Sequence, residues 1–389
     1  MNNERQNKEP FIVFGSPLIE TQEIEEIVKV MRSGWIGTGP RVSQFEHDFA
    51  KFKNVQHVAA VNSCTAALHL SMLAAKLEQG DEVITTPLTF CATINSIIHA
   101  GAVPVLADIN PKTLNIDPDQ IQAKISPKTK AIIPVHFAGR PCEMDLICEC
   151  AQKNSLTIIE DCAHAIESKY HGRNVGTFGD FACFSFYVTK NVITGEGGMV
   201  IASSKADIET IKVLALHGMS KDAWKRFSDN GYVHYTVIDC GYKYNMMDIQ
   251  AAIGIHQLKR VNRNHELRRL IWERYNNEFK NLPIGIPMEP AHDTCHGYHL
   301  YTLIIDEKKT GLSRDEFMNK IAGYNIGTGV HYLSIPEHPY YQQRFSWRPE
   351  DYPNAMKIGR QTVSIPLSPK LSNENIDHII MAVKKILNR

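Results

Sequence analysis

The run Ile158-Ile159-Glu160-Asp161-Cys162-Ala163-His164-Ala165 opens as an apolar strand and ends in two adjacent carboxylates. That pattern suits a strand buried on both faces, whose polar end emerges where a sheet meets its loops. Similar runs recur on either side, and strands are expected at Glu82 to Thr86, Val103 to Ile109, Ala131 to Phe137, Thr157 to Glu160, Phe181 to Phe186 and Met199 to Ala202. Helical stretches lie between them, at Thr65 to Ala75, Ala92 to Ala100 and Met144 to Lys153. Strands of this kind separated by helices predict an α/β fold with three layers, its mixed, mostly parallel sheet covered on both faces. Ligands of such sheets bind beyond the carboxyl ends of the strands, so the residues just after each strand carry the functional reading.

After about Asp248 the texture changes to a long helical stretch, a strand-like His299 to Ile305 and a closing helix. In that helix Ile376, Ile379, Ile380, Val383, Ile386 and Leu387 share one face. The 389 residues therefore divide into a large domain over 11–255 and a smaller α+β domain over 256–389. The first eight or so residues read as disordered.

Lys plus Arg and Asp plus Glu each number 42, leaving a formal net charge of zero. Such a chain has no global basic field for nucleic acid or an anionic membrane, and any anion must be caught locally. No stretch approaches the ~18 uninterrupted apolar residues of a membrane span, and the polar N-terminus lacks a signal-peptide core, so the expected compartment is the cytoplasm. The nine cysteines are odd in number and dispersed, which predicts reduced thiols. With no CxxC or HExxH pattern, Cys142, Cys148 and Cys150 are not read as a metal site.

Four motifs follow strands. Phe184-Ser185-Phe186-Tyr187-Val188-Thr189-Lys190-Asn191 leads into Thr194-Gly195-Glu196-Gly197-Gly198, and a partly desolvated lysine there has its pKa lowered from ~10.4, which frees its amine to attack a carbonyl. Asp161 is placed to pair with the protonated ring nitrogen of a pyridine cofactor; the alternative is that it caps the next helix. Asn62-Ser63-Cys64-Thr65-Ala66-Ala67-Leu68 opens a helix whose free N–H groups suit a phosphate, or is an ordinary Ser/Thr cap. Ser185 could add a hydroxyl. Phe90, in Thr85 to Ala92, is placed to lie on a flat heterocycle or to pack in the core. Together these describe a pocket for pyridoxal 5′-phosphate (PLP).

The sequence resembles the DegT/DnrJ/StrS family of sugar aminotransferases, fold-type I PLP enzymes, from about Phe11 to the C-terminus. The matching stretches are Ser33 to Pro40, Asn62 to Leu68, Thr86 to Thr93, Glu160 to Ala165, Ser185 to Gly198, Gly241 to Ala252 and Gly327 to Tyr332. Within the family it is most similar to the 4-aminotransferases of UDP-4-keto-sugars, the UDP-4-amino-4-deoxy-L-arabinose type, through Gly241-Tyr242-Lys243-Tyr244-Asn245-Met246. The resemblance implies that Lys190 forms the Schiff base with PLP, Asp161 pairs with the pyridine nitrogen and His164 lies near the ring. It also implies that Cys64, Thr65 and Ser185 bind the phosphate. A homodimer with composite sites follows, in which Lys243 or Asn245 of one subunit reaches the phosphate of the other. Trp35, Gly37, Thr38, His331 and Tyr332 would face the sugar.

The expected reaction is ping-pong transfer of an amino group from L-glutamate to the 4-keto group of a nucleotide-linked sugar, with no metal. An aminocyclitol aminotransferase shares every cofactor residue, and a non-catalytic binding protein is the reading from outside the enzyme class. Lys221, Lys225 and Arg226, with Trp224 among them, would supply cations and an aromatic face for a UDP group, or form a solvated helix face.

Overall fold

The computed structural model describes residues 10–220 and 235–387. The segment containing Lys221, Trp224, Lys225 and Arg226 and the expected disordered N-terminus lie outside the described residues. The strands, in chain order, are β1 (Val58–Val61), β2 (Glu82–Thr85), β3 (Val103–Leu106), β4 (Thr129–Ile133), β5 (Thr157–Asp161), β6 (Lys169–Tyr170), β7 (Arg173–Asn174), β8 (Phe181–Ser185), β9 (Gly198–Ala202), β10 (Tyr301–Ile304) and β11 (Thr362–Ile365).

Seven of them form one sheet in the order β1-β9-β8-β5-β4-β2-β3. The neighbours from β8 to β3 are parallel, whereas β9 is antiparallel to both β8 and β1. This is the mixed, mostly parallel sheet expected from the sequence. Strand β1 falls just before the first expected element. Its sequence Val-Ala-Ala-Val is too short and too small in side chains to announce a strand, and pairing with β9 supplies what propensity does not.

Helices cover both faces. On one side α3 (Cys64–Ala74) brings Ala67, Leu68 and Leu70 into a cluster with Ile133, Ile159, Cys183 and Val200. On the other, α2 (Pro40–Lys53) and α8 (Asp248–Lys259) pack Phe45, Phe49 and Ile255 against Ala182, Phe184, Phe186 and Met199. Adjacent strand residues such as Cys183 and Phe184 thus face opposite layers, as the two-residue period of a strand requires. Burial of each such side chain contributes about 1.5–3 kcal/mol.

A second core lies in the C-terminal part. Trp272, Tyr275 and Phe279 of the helix Val261–Phe279 pack with Tyr301, Leu303, Phe317 and the closing helix Asn373–Leu387. That helix buries Ile376, Ile379, Ile380, Val383, Ile386 and Leu387, the face expected from the sequence. Ile12 bridges to Ile326 and joins this cluster. We propose these two cores as the two domains divided near residue 255. Among the described residues no helix is long and apolar enough to cross a membrane.

Candidate active site

At the carboxyl end of β5 the two carboxylates diverge. Glu160 points to one face, where it accepts hydrogen bonds from the backbone N–H groups of Gly176, Phe178 and Gly179 at 2.8, 2.7 and 2.8 Å. His136 Nε2 lies 3.2 Å from it, and His136 Nδ1 accepts from Cys142 N, so Nε2 carries the hydrogen. These bonds hold the Glu160 carboxyl below its ordinary range despite complete burial. His136, Glu160 and Cys162 bring three potential metal-binding atoms within 4.8 Å, yet the histidine and the carboxylate are already occupied by these partners. Cys142 and Cys150 donate to Val135 O and Gln122 Oε1 instead of converging.

Asp161 turns to the α3 side of the sheet. Thr93, on α4 (Cys91–His99), donates to Asp161 Oδ2 at 2.9 Å, and Ala163 N donates to Oδ1 at 3.2 Å. Burial raises the Asp161 pKa, while Thr93, Ala163 and the nearby Lys190 pull the other way. Thr93 is a site residue that the sequence reading missed.

Lys190 follows β8 in a turn closed by Lys190 N to Tyr187 O at 2.8 Å. Its amine is brought down to about 8, chiefly by burial, and feels Cys64 and Asp161. Opposite it, α3 starts at the phosphate-turn candidate. Ser63 is the N-cap, accepting from Ala66 N at 3.1 Å, and the first intrahelical bond runs from Ala67 N to Ser63 O. The N–H groups of Cys64 and Thr65 therefore belong to the unpaired first turn. Ser185 pairs with Gly198 across β8 and β9. A Cβ on Gly198 would lie 2.6 Å from Ser63 C and O and 2.8 Å from Cys64 N, so only glycine lets this turn sit against the sheet.

The wall of the site is aromatic. Phe90 is 57% exposed, which removes core packing as its role, and its ring lies 5.8 Å from that of Tyr332. Tyr332 meets His164 Nε2 at 3.0 Å, and His164 Nδ1 accepts from Ala138 N at 3.2 Å. His331 is held by Ser364 Oγ at 2.9 Å, and burial followed by Lys190 lowers it to about 4. The structure thus gathers Cys64, Phe90, Asp161, His164, Ser185, Lys190, His331 and Tyr332 at one end of the sheet.

A second group stands apart from that wall. Thr38 donates to Met246 O at 2.5 Å and accepts from Asn245 Nδ2 at 2.6 Å, while Trp35 Nε1 donates to Thr38 O. Gly37 O receives Asp248 N, and the Asp248 carboxylate caps α2 by accepting from Gly39, Arg41 and Val42. Lys243 is exposed; its carbonyl and that of Tyr244 accept from Asn62.

The residues fit PLP. A buried carboxylate for a ring nitrogen, a lysine poised near neutrality and a helix start held against Gly198 for a phosphate converge where the parallel strands end.

A sequence profile of the DegT/DnrJ/EryC1/StrS aminotransferase family matches residues 17–384. The chain is 47% identical over 383 residues to the spore coat polysaccharide biosynthesis protein SpsC of Bacillus subtilis, covering 98% of each. Spr1654 from Streptococcus pneumoniae, solved in a PLP form, superposes with a TM-score of 0.90 at 31% identity, covering 97% of this chain and 99% of that one. PseC of Helicobacter pylori, an aminotransferase involved in the biosynthesis of pseudoaminic acid, gives 0.90 at 28% over the same shares.

Proposed function

The chain belongs to the DegT/DnrJ/EryC1/StrS aminotransferase family and is a PLP-dependent aminotransferase, and on that premise we propose that it aminates the 4-keto group of a nucleotide-linked sugar, UDP-linked by preference, with L-glutamate as donor. The product would serve cell-surface polysaccharide synthesis in the cytoplasm. The observation that carries this reading is the 47% identity to SpsC across nearly the whole of both chains. An open depression lined by Cys91, Asn95, His99, Tyr340, Tyr341 and Arg344 offers aromatic and cationic groups to a nucleotide.

When bound, PLP supplies an aldehyde for amines and a conjugated ring that accepts electrons. The first-turn N–H groups of Cys64 and Thr65, with the Ser185 hydroxyl, bind its phosphate. Asp161, anchored by Thr93 and Ala163, keeps a proton on the ring nitrogen. Phe90, exposed beside Tyr332, would offer the ring an aromatic surface, with His164 nearby. Lys190, whose amine is a usable base near pH 8, would move a proton between the donor Cα and the cofactor's former aldehyde carbon. His331, Tyr332 and the Trp35, Gly37 and Thr38 loop bind and orient the sugar.

We also place a homodimer here, with the Thr38–Asn245 pair or Lys243 of one subunit completing its neighbour's phosphate site. Mixing Lys190→Ala chains with chains carrying substitutions at both Lys243 and Asn245 should regenerate activity; an active monomer would contradict it. The function is tested by offering UDP-, dTDP- and GDP-linked 4-keto sugars and an inosose to the aminated enzyme. Reoxidation by the UDP sugar, with the new amine at C4 by NMR, is expected. Preference for the inosose would favour the aminocyclitol reading.

A further inference from the structure

Asn191, the residue after Lys190, is buried and held at both ends of its amide. Nδ2 donates to Glu167 Oε1 and Oε2 at 3.0 and 2.9 Å and to Gly297 O at 2.7 Å. A carbonyl oxygen only accepts, so the amide orientation is fixed and Oδ1 is the atom 3.0 Å from His299 Nδ1. Since Oδ1 has no hydrogen to give, His299 carries its hydrogen on Nδ1 and leaves Nε2 as a lone pair.

The His299 ring lies 4.3 Å from that of His164, which is locked in the opposite tautomer. His164 Nδ1 accepts from Ala138 N, so its hydrogen is on Nε2 and is donated to Tyr332. The phenol must then turn its own hydrogen elsewhere. Burial is the main cause that pushes both imidazoles well below their ordinary range, and His299 also feels His164, Lys190, Arg268 and His331. Two neutral rings therefore stand beside the lysine.

We propose that Asn191 and His299 are positioning residues for Lys190. The Glu167–Asn191–His299 chain ties the backbone at the lysine to the Gly297–His299 segment that leads into β10. A lysine has a long flexible stem, and its amine is placed only as well as its Cα is fixed. A misplacement of ~1 Å at such a point can cost about a hundredfold in rate. Asn191 supplies that fixity from the adjacent residue, and His299 completes it by filling the remaining acceptor with a single, uncharged tautomer.

This inference rests on Lys190 being the reacting amine, and its test avoids the sugar altogether. In apoenzyme labelled with 15N-histidine, NMR should find His299 protonated on Nδ1 and His164 on Nε2. His299→Asn retains an N–H donor near the Nδ1 position; His299→Phe retains a ring without one. On cofactor-loaded enzyme, the Phe variant should shift the pH midpoint of the lysine-bound absorbance band and slow the half-reaction with L-glutamate by about a hundredfold. The Asn variant should restore both. An Nε2–H tautomer at His299, a Phe variant that titrates and reacts as wild type, or an Asn variant no better than Phe overturns the proposal. If the Phe variant does not fold, the tautomer and the Asn variant decide.

Discussion

Thr93 Oγ1 donates to Asp161 Oδ2 at 2.9 Å, and Thr89 lies 2.8 Å behind it. Because the Thr93 hydrogen goes to the carboxylate, Thr89 must donate to Thr93, and the relay aims two hydroxyl dipoles, one from α4 and one from the segment just before it, at the one carboxylate assigned to the cofactor ring. Asp161→Asn keeps the shape and removes the charge. At ~4 Å and an effective dielectric near 20 the lost interaction is about 4 kcal/mol, a thousandfold in proton abstraction with cofactor still bound. Turnover kinetics check this, and a loss under about tenfold would reduce Asp161 to a structural acceptor for Thr93 and Ala163, since no helix follows it for the carboxylate to cap.

Glu160→Gln should behave differently. Glu160 faces the other layer and serves three backbone donors and His136, so its replacement should lower the melting temperature, by a stability loss of about 2–3 kcal/mol, and leave the cofactor spectrum in place. Its pKa is depressed in the folded state, so the stabilisation is present above the unfolded carboxylate pKa of ~4.3 and is lost as pH falls through the folded value. Wild type and Gln variant should therefore converge in stability under acid. Equal melting temperatures at neutral pH would contradict the assignment.

Gly198→Ala tests the phosphate turn. The new methyl would sit 2.6 Å from the Ser63 backbone, and relief by moving the turn should cost about 1–3 kcal/mol. The cofactor should bind at least about tenfold more weakly, as measured by titrating apoenzyme. Unchanged affinity would mean that the turn does not hold the phosphate.

Six strands of the seven-stranded sheet were legible because each is a compact apolar run, Asp161 and Lys190 because each follows such a run, and the Ser63 turn because hydroxyl and small residues there open a helix. Strand β1 was not, since four small residues carry no period, and Thr93 was not, since its partner is 68 positions away. Asn191 carried no reading of its own in the lysine motif; its buried amide is explained only when Glu167, Gly297 and His299, distant in sequence, are brought around it. Phe90 stayed open between two roles until its exposure decided against the core. Long-range polar pairs have no local pattern, which is why Thr93 and the contacts of Asn191 could not be read from the sequence.

Lys190 also predicts a pH dependence. Only its neutral amine attacks an aldehyde, and that form grows as pH rises through about 8, not through the ~10.4 of a free lysine. The rate at which apoenzyme captures PLP, followed by absorbance in stopped flow, should rise with a midpoint near that value and level off above it. A rate still climbing beyond pH 10 would contradict the burial.

The central claim is that Lys190 is the amine that holds the cofactor. Fully buried Lys53 offers a real competitor to half-buried Lys190: it is also brought to about 8, chiefly by burial, but it donates to Ile166 O and lies 4.9 Å from the Phe184 ring centroid in the opposite layer. Borohydride reduction of the loaded enzyme followed by peptide mapping distinguishes them. The account predicts a pyridoxyl group on Lys190 and none in the Lys190→Ala variant; a label on Lys53 or Lys243 in the wild type would contradict it.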